Sequence, residues 1–423
     1  MMKQIVYFGI MYALIFTGFY VTNGFLTIIY PNEAFIGFAI FYGLYGIASL
    51  LSPYLYMKLN LIAALILSSF TFLIYVGFAS FKLSYMMLVG SGIAGVGNAV
   101  IWLIQGIWMS EFPDSENKSL WIGIFFGIFN VNIIVGNLIS IIILIASESS
   151  ISIMMWAMIG VTGIGFSMTF FVSFIIRNTN SQNTINQNIN VKEKTTEQEK
   201  EEKSFLQVLK KVFTVISINK GYLLIPFFLA QAISLNITYQ IITRLLIINS
   251  RNIHEDPNIY NAAMYLAYGV SAIIFSIVWG KIYDKFGYKL VLGFYLSLEL
   301  TCLIGILMLN KFSSNGPLGY WIIIGFVRGM IDNAINSIIN ITIARYYPKD
   351  GSYFFALYRF IYAVSYATFS VCIAYIQYEY ILLIDCVIAI ISTICYIYFS
   401  IYYSKLITNN NIELTEVKTD QSI

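Results

Sequence analysis

Charged residues are scarce in this chain, and their scarcity excludes an ordinary soluble protein. Asp, Glu, Lys and Arg make up 11% of the 423 residues, whereas a soluble domain carries roughly 25%. The formal net charge of +3 is too small to indicate a nucleic-acid partner, and Lys and Arg avoid the apolar segments. The excess apolar surface must therefore face lipid, and we predict a bilayer rather than a nucleic acid as the main partner.

Cysteine and histidine are too few to build a metal site or a disulfide framework. The four cysteines, Cys302, Cys372, Cys386 and Cys395, all fall inside apolar segments, which favours small core residues. The single histidine, His254, has no second histidine to form a metal or acid–base pair. A Gly-rich loop followed by Lys and Ser or Thr is also missing, so an ATP-driven pump is unsupported. We predict neither enzyme activity nor a cofactor.

Apolar residues, in contrast, fill most of the chain. They make up 59% of it, aromatic residues alone make up 17%, and the mean hydropathy is +0.77. At roughly 20 residues per helical crossing, this length predicts an all-α polytopic membrane protein with about twelve transmembrane helices. The first apolar run is too long for a signal peptide and lacks a small-residue cleavage pattern, so we interpret it as the first of these helices.

Polar or turn-rich breaks divide the apolar sequence into two sets of six spans, numbered 1–12. The first set is Ile5–Tyr30, Phe35–Met57, Leu61–Ser80, Tyr85–Met109, Leu120–Ile145 and Ile151–Ile176. The second set is Tyr222–Ile248, Ile259–Tyr283, Leu290–Leu309, Gly319–Tyr346, Tyr353–Ile376 and Tyr380–Tyr403. Each set predicts one six-helix bundle.

A long polar segment, residues 177–220, separates the two sets. It has almost no aromatic or branched residue before Phe205. Such a segment cannot bury enough apolar surface to offset its ordering entropy, so we predict a disordered linker. The predicted organisation is an N-terminal bundle over 1–176, this linker, a C-terminal bundle over 221–403, and a polar tail over 404–423 that is disordered from Thr408.

The positions of Lys and Arg predict the orientation of the spans. Successive loops alternate between the two sides of the membrane. The loops on one side hold only Lys82, Arg251 and Lys311, and every other basic loop residue lies on the other side, together with the linker. Cytoplasmic loops carry the excess of Lys and Arg in membrane proteins. We therefore predict a multi-pass integral membrane protein with the linker and both termini in the cytoplasm, in a membrane that the sequence does not specify.

The loop between spans 8 and 9 carries a motif, Gly280-Lys281-Ile282-Tyr283-Asp284-Lys285-Phe286-Gly287-Tyr288-Lys289. It resembles the loop motif of the major facilitator superfamily: a Gly, an Asp followed by a basic residue, then a Gly and a basic pair. Two sets of six spans joined by a linker also match the parallel repeats of that fold. The resemblance implies a gating motif comprising Gly280, Asp284, Lys285, Gly287 and Lys289; an ordinary basic hairpin is the alternative.

Two of these residues have a physical reason to occupy the loop. Gly287 permits a tight turn, and the Asp284 carboxylate can meet a helix N-terminus or a basic partner. The equivalent loop of the first half, residues 52–60, has lost the pattern. Only one of the two expected copies therefore supports standard gating.

Spans 4 and 5 carry a closer family resemblance. A helix with Trp102, Gln105 and Gly106 is followed by Gly123-Ile124-Phe125 and then by Gly136-Asn137. This sequence is similar to the Unc-93-like family, and Gly329, Asp332, Asn336 and the stretch 354–360 also resemble it. The resemblance implies a transporter-like protein or a membrane accessory protein for a channel or receptor.

Polar residues at membrane depth are the candidate functional residues, because charge there is costly. A spacing of four places Arg328, Asp332, Asn336 and Asn340 along one face of span 10, where Arg328 and Asp332 can pair directly. A structural ion pair that holds span 10 against its neighbours is the alternative to a functional role. Acids stand singly in spans 9 and 12, where we favour packing roles.

Three further spans carry polar stripes. In span 7 the stripe is Asn236, Gln240 and Arg244, although Arg244 lies near the outer end and could simply extend to water. Span 4 places Asn98, Trp102 and Gln105 on one face, and span 1 offers Tyr20 and Asn23. For the two amides of span 4, hydrogen bonding to a neighbouring helix is the alternative to a role in a substrate path.

The major facilitator resemblance implies that spans 1, 4, 7 and 10 line a central cavity, and the stripes lie on those four spans. The predicted substrate path consists of Tyr20, Asn23, Asn98, Trp102, Gln105, Asn236, Gln240, Arg244, Arg328, Asp332 and Asn336. One hypothesis is a transporter that moves a small solute by alternating access. The other is a non-transporting accessory or scaffold protein that binds a channel or receptor. A continuous polar cavity that reaches one membrane face would favour transport, and a plugged, apolar centre would favour the scaffold.

Overall fold

The computed structural model describes residues 2–31, 33–58, 61–110, 118–172, 205–250, 256–312, 319–347 and 350–420. Every regular element within these ranges is a helix, and twelve of the helices are long and apolar enough to cross a membrane. The predicted fold class is therefore confirmed, and the arrangement is consistent with a major facilitator fold. His254 and residues 177–204 of the predicted linker lie outside the described residues.

The observed spans follow the predicted order. Spans 1–6 are the helices Met2–Ile29, Ala34–Lys58, Leu61–Ser80, Ser84–Ser110, Lys118–Ala146 and Ile151–Thr169. Span 7 combines the helix Ile225–Asn236, a π-helical turn over Ile237–Ile242 and the helix Thr243–Ser250. Spans 8–12 are Pro257–Phe286, Tyr288–Phe312, Gly319–Tyr346, Gly351–Tyr375 and Tyr378–Asp420.

The ends of span 8 show why the sequence breaks where it does. The Asp256 carboxylate accepts the backbone N–H of Asn258 at 2.9 Å, and Pro257, which has no N–H to leave unpaired, begins the helix. Gly287 closes it with a φ of 76°, a left-handed conformation that favours glycine. The tight turn predicted at Gly287 is confirmed.

The prediction of disorder is wrong for the last part of the linker, residues 205–220. Phe205–Thr214 is a helix, and a 3-10 segment, Val215–Leu224, leads from it into span 7. Val208 and Val212, one turn apart, are buried where this helix packs against spans 2 and 11. A short apolar stripe of this kind forms an amphipathic helix, which the polar composition of the preceding residues concealed.

The C-terminal tail is also more ordered than predicted. The helix of span 12 continues to Asp420, whereas disorder was expected from Thr408. Between Tyr378 and Asp420 the sequence contains neither Gly nor Pro, so no residue interrupts the backbone hydrogen bonds of the helix. Residues 421–423 lie outside the described part of the chain.

The two sets of spans meet along two pairs of helices, span 5 with span 8 and span 2 with span 11. In the first pair the backbones approach closely, because a Cβ at Gly123 would lie 2.9 Å from the carbonyl oxygen of Ser276. In the second pair the rings of Tyr42 and Tyr366 stack with their centroids 3.6 Å apart. A cavity lies between these two contacts.

Candidate functional site

The cavity lies near the middle of the spans and has a volume of about 100 Å³. It has room for a few water molecules at about 30 Å³ each, and is smaller than the roughly 300–1,000 Å³ of common ligand pockets. Its aromatic lining includes Phe16, Phe19, Tyr20, Tyr42, Tyr45, Trp102, Phe126, Phe129, Tyr239, Tyr268 and Tyr362. Its polar lining is Asn98, Asn130, Gln231, Asp332, Asn333, Asn336 and Arg359.

Some of the predicted path residues meet at this cavity. Tyr20 of span 1, Asn98 and Trp102 of span 4, and Asp332 and Asn336 of span 10 all line it. Span 7 contributes Gln231, Leu235 and Tyr239 in place of the residues predicted there. All four chosen spans reach the cavity, but spans 2, 5, 8 and 11 line it as well. That the shared residues form a substrate path stays a prediction.

Asp332 is held at the cavity wall by two neutral donors. The Ser234 hydroxyl donates to one carboxylate oxygen at 2.9 Å, and the Tyr268 hydroxyl donates to the other at 2.8 Å. These bonds come from spans 7 and 8, so Asp332 fixes the position of three helices. A carboxylate has further lone pairs, and Asp332 can accept another donor from the cavity.

The predicted direct pair of Arg328 with Asp332 is wrong. Arg328 turns away from the cavity, and its Nη1 lies 2.8 Å from Oε1 of Glu299 in span 9, with both side chains fully buried. Its Nε donates to the Thr238 hydroxyl at 3.0 Å, and its Nη2 donates to the Ser234 hydroxyl and carbonyl. Pairing with Glu299 neutralises two buried charges together, and the Ser234 hydroxyl links this pair to Asp332.

The amides predicted on span 7 face span 11 instead of the cavity. Gln240 donates to the Asn236 side-chain oxygen and to the Ser370 hydroxyl, both at 2.7 Å. Asn236 in turn donates to the carbonyl oxygen of Tyr366 at 3.3 Å. Asn236 and Gln240 thus share one face, as their spacing of four predicts, but that face packs against span 11 and not against the cavity.

The remaining path residues also lie apart from the cavity lining. Asn23 accepts the Tyr75 hydroxyl at 2.7 Å within the first half, and Gln105 is buried further along span 4. Arg244 lines a separate space of about 500 Å³ near the ends of spans 7 and 11, together with Gln377 and Glu379. The prediction that Arg244 shares a site with the central residues is wrong, because it lies close to the end of its span.

Among the cavity residues that the predicted path omitted, Arg359 carries a charge. Its guanidinium lies 4.8 Å from the centroid of the Trp102 ring and 4.6 Å from that of Tyr358, which places it in cation–π contact with both. The signal in the sequence was a charged residue well inside span 11. Its depth depended on where that span begins, and the observed start at Gly351 places it near the middle.

The loop motif forms a contact at the surface, away from the cavity. Asp284 meets a basic partner, as predicted: its carboxylate lies 3.2 Å from the guanidinium of Arg345 and joins the ends of spans 8 and 10. Lys285 lies over the Phe286 ring at 5.2 Å, Gly280 is buried and Lys289 is exposed. A role of these residues in gating stays a prediction.

The two halves of the chain touch on both sides of the cavity. On the linker side, a Cβ at Gly106 would lie 3.3 Å from the Phe355 ring. On the far side, the Asn261 amide donates to the carbonyl oxygen of Gly24 at 3.1 Å, and the Ser149 hydroxyl donates to the Asp256 carboxylate. The cavity is thus flanked by contacts between spans of the two halves.

The sequence matches the UNC-93 family, described as "Ion channel regulatory protein UNC-93", over residues 26–397. The chain belongs to the UNC-93 family. The match covers most of the chain and confirms the resemblance seen in spans 4, 5, 10 and 11. A search of the curated proteins finds no match to this UNC-93 family member.

The glycines that carried the resemblance to the UNC-93 family lie where helices touch. A Cβ at Gly136 would lie 2.6 Å from a methyl group of Val21, and one at Gly329 would lie 2.3 Å from the carbonyl oxygen of Tyr268. Small residues allow helix backbones to approach closely in membranes. In this UNC-93 family member, these glycines therefore serve helix packing, and Trp102, Asp332, Asn336 and Arg359 are the parts of the resemblance that reach the cavity.

Proposed function

We propose that this UNC-93 family member is a non-transporting accessory protein that regulates an ion channel by binding it within the membrane. The family description is the observation that carries the proposal. The small cavity, flanked on both sides by contacts between the halves, is closer to a plugged scaffold than to a continuous polar path. Asn130 of span 5 adds a direct bond between the halves by donating to Asn333 at 3.0 Å.

The basic residues at the ends of the spans support one orientation of the protein in the membrane. Lys211, Lys281, Lys285 and Arg345 lie on the linker side, and Lys82 lies near the opposite ends of the spans. Because basic residues concentrate in cytoplasmic loops, the proposal places the linker side and both termini in the cytoplasm. A channel partner would then contact the exposed apolar side chains of the spans in the bilayer.

The proposal is tested by current recording on co-reconstituted protein. The chain is crosslinked in its native membrane, the co-purified channel is identified, and that channel is placed in planar bilayers with and without the chain. We expect the open probability or conductance of the channel to change with the chain and to stay constant with an unrelated twelve-span protein. Unchanged currents at saturating chain would refute it.

Transport by alternating access is a second candidate, because the cavity draws residues from both halves. Asp332, the buried acid on its wall, is the residue that a coupled proton would use. Under this candidate, liposomes containing the chain accumulate a solute from a broad panel, and Asp332→Asn abolishes that uptake. Uptake by no member of the panel, together with an altered channel current, would favour the accessory function.

A further inference from the structure

Arg359 is a mid-span charge without an acidic partner among the described residues. Arg328, the other arginine of the membrane interior, is neutralised by Glu299 at 2.8 Å. The ion pairs found in the described ranges join Lys211 to Asp350, Arg328 to Glu299 and Arg345 to Asp284, and none of them includes Arg359. An unpaired charge at this depth is costly, and such residues mark binding sites.

The Arg359 side chain lines the cavity and has an N–H donor without an acceptor among the described residues. The guanidinium lies 4.8 Å from the centroid of the Trp102 ring and 4.6 Å from that of the Tyr358 ring. Its Nη1 donates a long hydrogen bond of 3.4 Å to the Tyr358 hydroxyl. Nε is buried and has no acceptor within the described part of the chain. The buried Tyr45 hydroxyl lies beside the guanidinium, and the side-chain oxygen of Asn98 is a buried acceptor without a donor in the described part of the chain.

Unpaired buried polar groups cost free energy unless a ligand or water satisfies them. A guanidinium presents parallel N–H donors that match the two oxygens of a carboxylate. The Tyr45 hydroxyl could add a further donor to the same anion. The two donors at this small cavity, the Arg359 guanidinium and the Tyr45 hydroxyl, therefore indicate an anion site rather than a structural charge.

We propose that this cavity binds the carboxylate of a small, monovalent organic anion, with Arg359 as its charge partner. The volume of about 100 Å³ limits the anion to a few heavy atoms. Asp332 on the same wall would repel a second negative charge, which disfavours divalent anions. The rings of Phe16 and Phe129 suit a short hydrocarbon chain. This inference goes beyond channel regulation, which requires no bound solute.

The first test uses the unmodified protein in lipid nanodiscs. Propionate is titrated against propionamide, its neutral counterpart of the same shape, and against sulfate, and binding is followed by saturation-transfer NMR. We expect saturable propionate binding, with propionamide and sulfate at least about tenfold weaker. Propionamide lacks the charge for charge-assisted bonds, and Asp332 repels the second negative charge of sulfate. Equal binding of propionate and propionamide, or no propionate binding, would overturn the proposal.

The second test compares two arginines of the same half. Arg359→Gln should weaken propionate binding at least about tenfold and leave propionamide binding unchanged. Arg244→Gln removes a guanidinium outside the central cavity and should leave propionate binding as it is in the unmodified protein. Propionate affinity that survives in Arg359→Gln, or that falls equally in both variants, contradicts the assignment.

A milder variant guards against loss of folding. Tyr45→Phe removes only a hydroxyl, and we expect propionate to bind a few-fold more weakly while propionamide is unaffected. An unchanged ratio of propionate to propionamide affinity would count against the site. Channel currents are recorded separately, so a chain that alters currents but ignores propionate refutes this inference and leaves the proposed function standing.

Discussion

The two halves share an arrangement of six spans but differ in what fills their interiors. Spans 1–6 carry no Asp, Glu, Lys or Arg in their middle portions, whereas spans 9–12 contain Glu299, Arg328, Asp332, Arg359 and Asp385. The first half is packed with rings instead. Around Phe16, the rings of Phe72, Trp102 and Phe129 have centroids 4.6, 5.3 and 5.4 Å away.

This difference separates two kinds of stability. Ring packing depends on many weak contacts, so a single change removes a part of the total. A buried ion pair behaves differently, because removal of one partner leaves the other charge without compensation. The first half therefore forms an aromatic wall of the cavity, and the second half supplies its charge. Four variants test this comparison, from the largest expected effect to the smallest.

The largest effect is expected in the buried pair of the second half. Glu299→Leu should destabilise the protein by about 3–5 kcal/mol, because it leaves the Arg328 charge unpaired in the membrane interior. The measurement is the unfolding free energy in mixed micelles, together with the folded yield. Arg328→Leu combined with Glu299→Leu should recover most of the loss, and a double variant as unstable as the single one would contradict the account.

The contact between the halves comes next. Gly123→Ala places a Cβ 2.9 Å from the backbone of Ser276, which must shift. Such overpacking costs about 1–3 kcal/mol. Gly160→Ala is the matched control, since its Cβ would have nothing within 4 Å. Equal melting temperatures for the two variants would show that spans 5 and 8 are not tightly packed.

A smaller effect is expected in the aromatic wall. Phe16→Leu keeps an apolar side chain of similar size but removes the ring contacts, which are worth about 0.5–1.5 kcal/mol per pair beyond area burial. We expect a loss of about 1 kcal/mol, because leucine replaces part of the packing. Unfolding curves of the variant and the unmodified protein measure this loss of unfolding free energy. A loss as large as that of Glu299→Leu would remove the distinction between the halves.

The smallest effect belongs to the surface pair of the loop motif. Arg345→Gln removes the partner of Asp284, and both side chains are partly exposed, at 43% and 26%. Exposed pairs contribute about 0–1 kcal/mol and are screened by salt. We expect a loss within this range that vanishes at 1 M salt. A larger loss of unfolding free energy that does not depend on salt would indicate that this pair stabilises the fold as a buried contact does.

The sequence predicted the spans well because their length and apolar composition are local properties. The turn at Gly287 was predicted for the same reason, whereas Arg345, the partner of Asp284 on another span, was not identified from the sequence. Pairs between different helices were not predictable. Arg328 pairs with Glu299 and not with Asp332, and this outcome depends on which helices are neighbours in the fold. The amphipathic helix at 205–214 was missed because its apolar residues directly follow a long polar segment.

The cavity shows the same division between local and tertiary information. Spacing along one helix placed Asn98 and Trp102 on a common face, and both line the cavity. The same reasoning placed Asn236 and Gln240 of span 7 on a common face, but that face packs against span 11. Arg359 was omitted because its depth depends on the start of span 11. Helix periodicity therefore predicts a face, while the neighbours of that face come from the assembled fold.

The central claim, that this UNC-93 family member regulates a channel instead of moving a solute, is tested most directly by whole-cell current recording. Currents are compared in cells of the native source before depletion of the chain, after depletion, and after its re-expression. The account predicts a changed amplitude or gating of one ionic current on depletion and recovery on re-expression. Unchanged currents after full depletion, with solute uptake by liposomes that contain the chain, would contradict it.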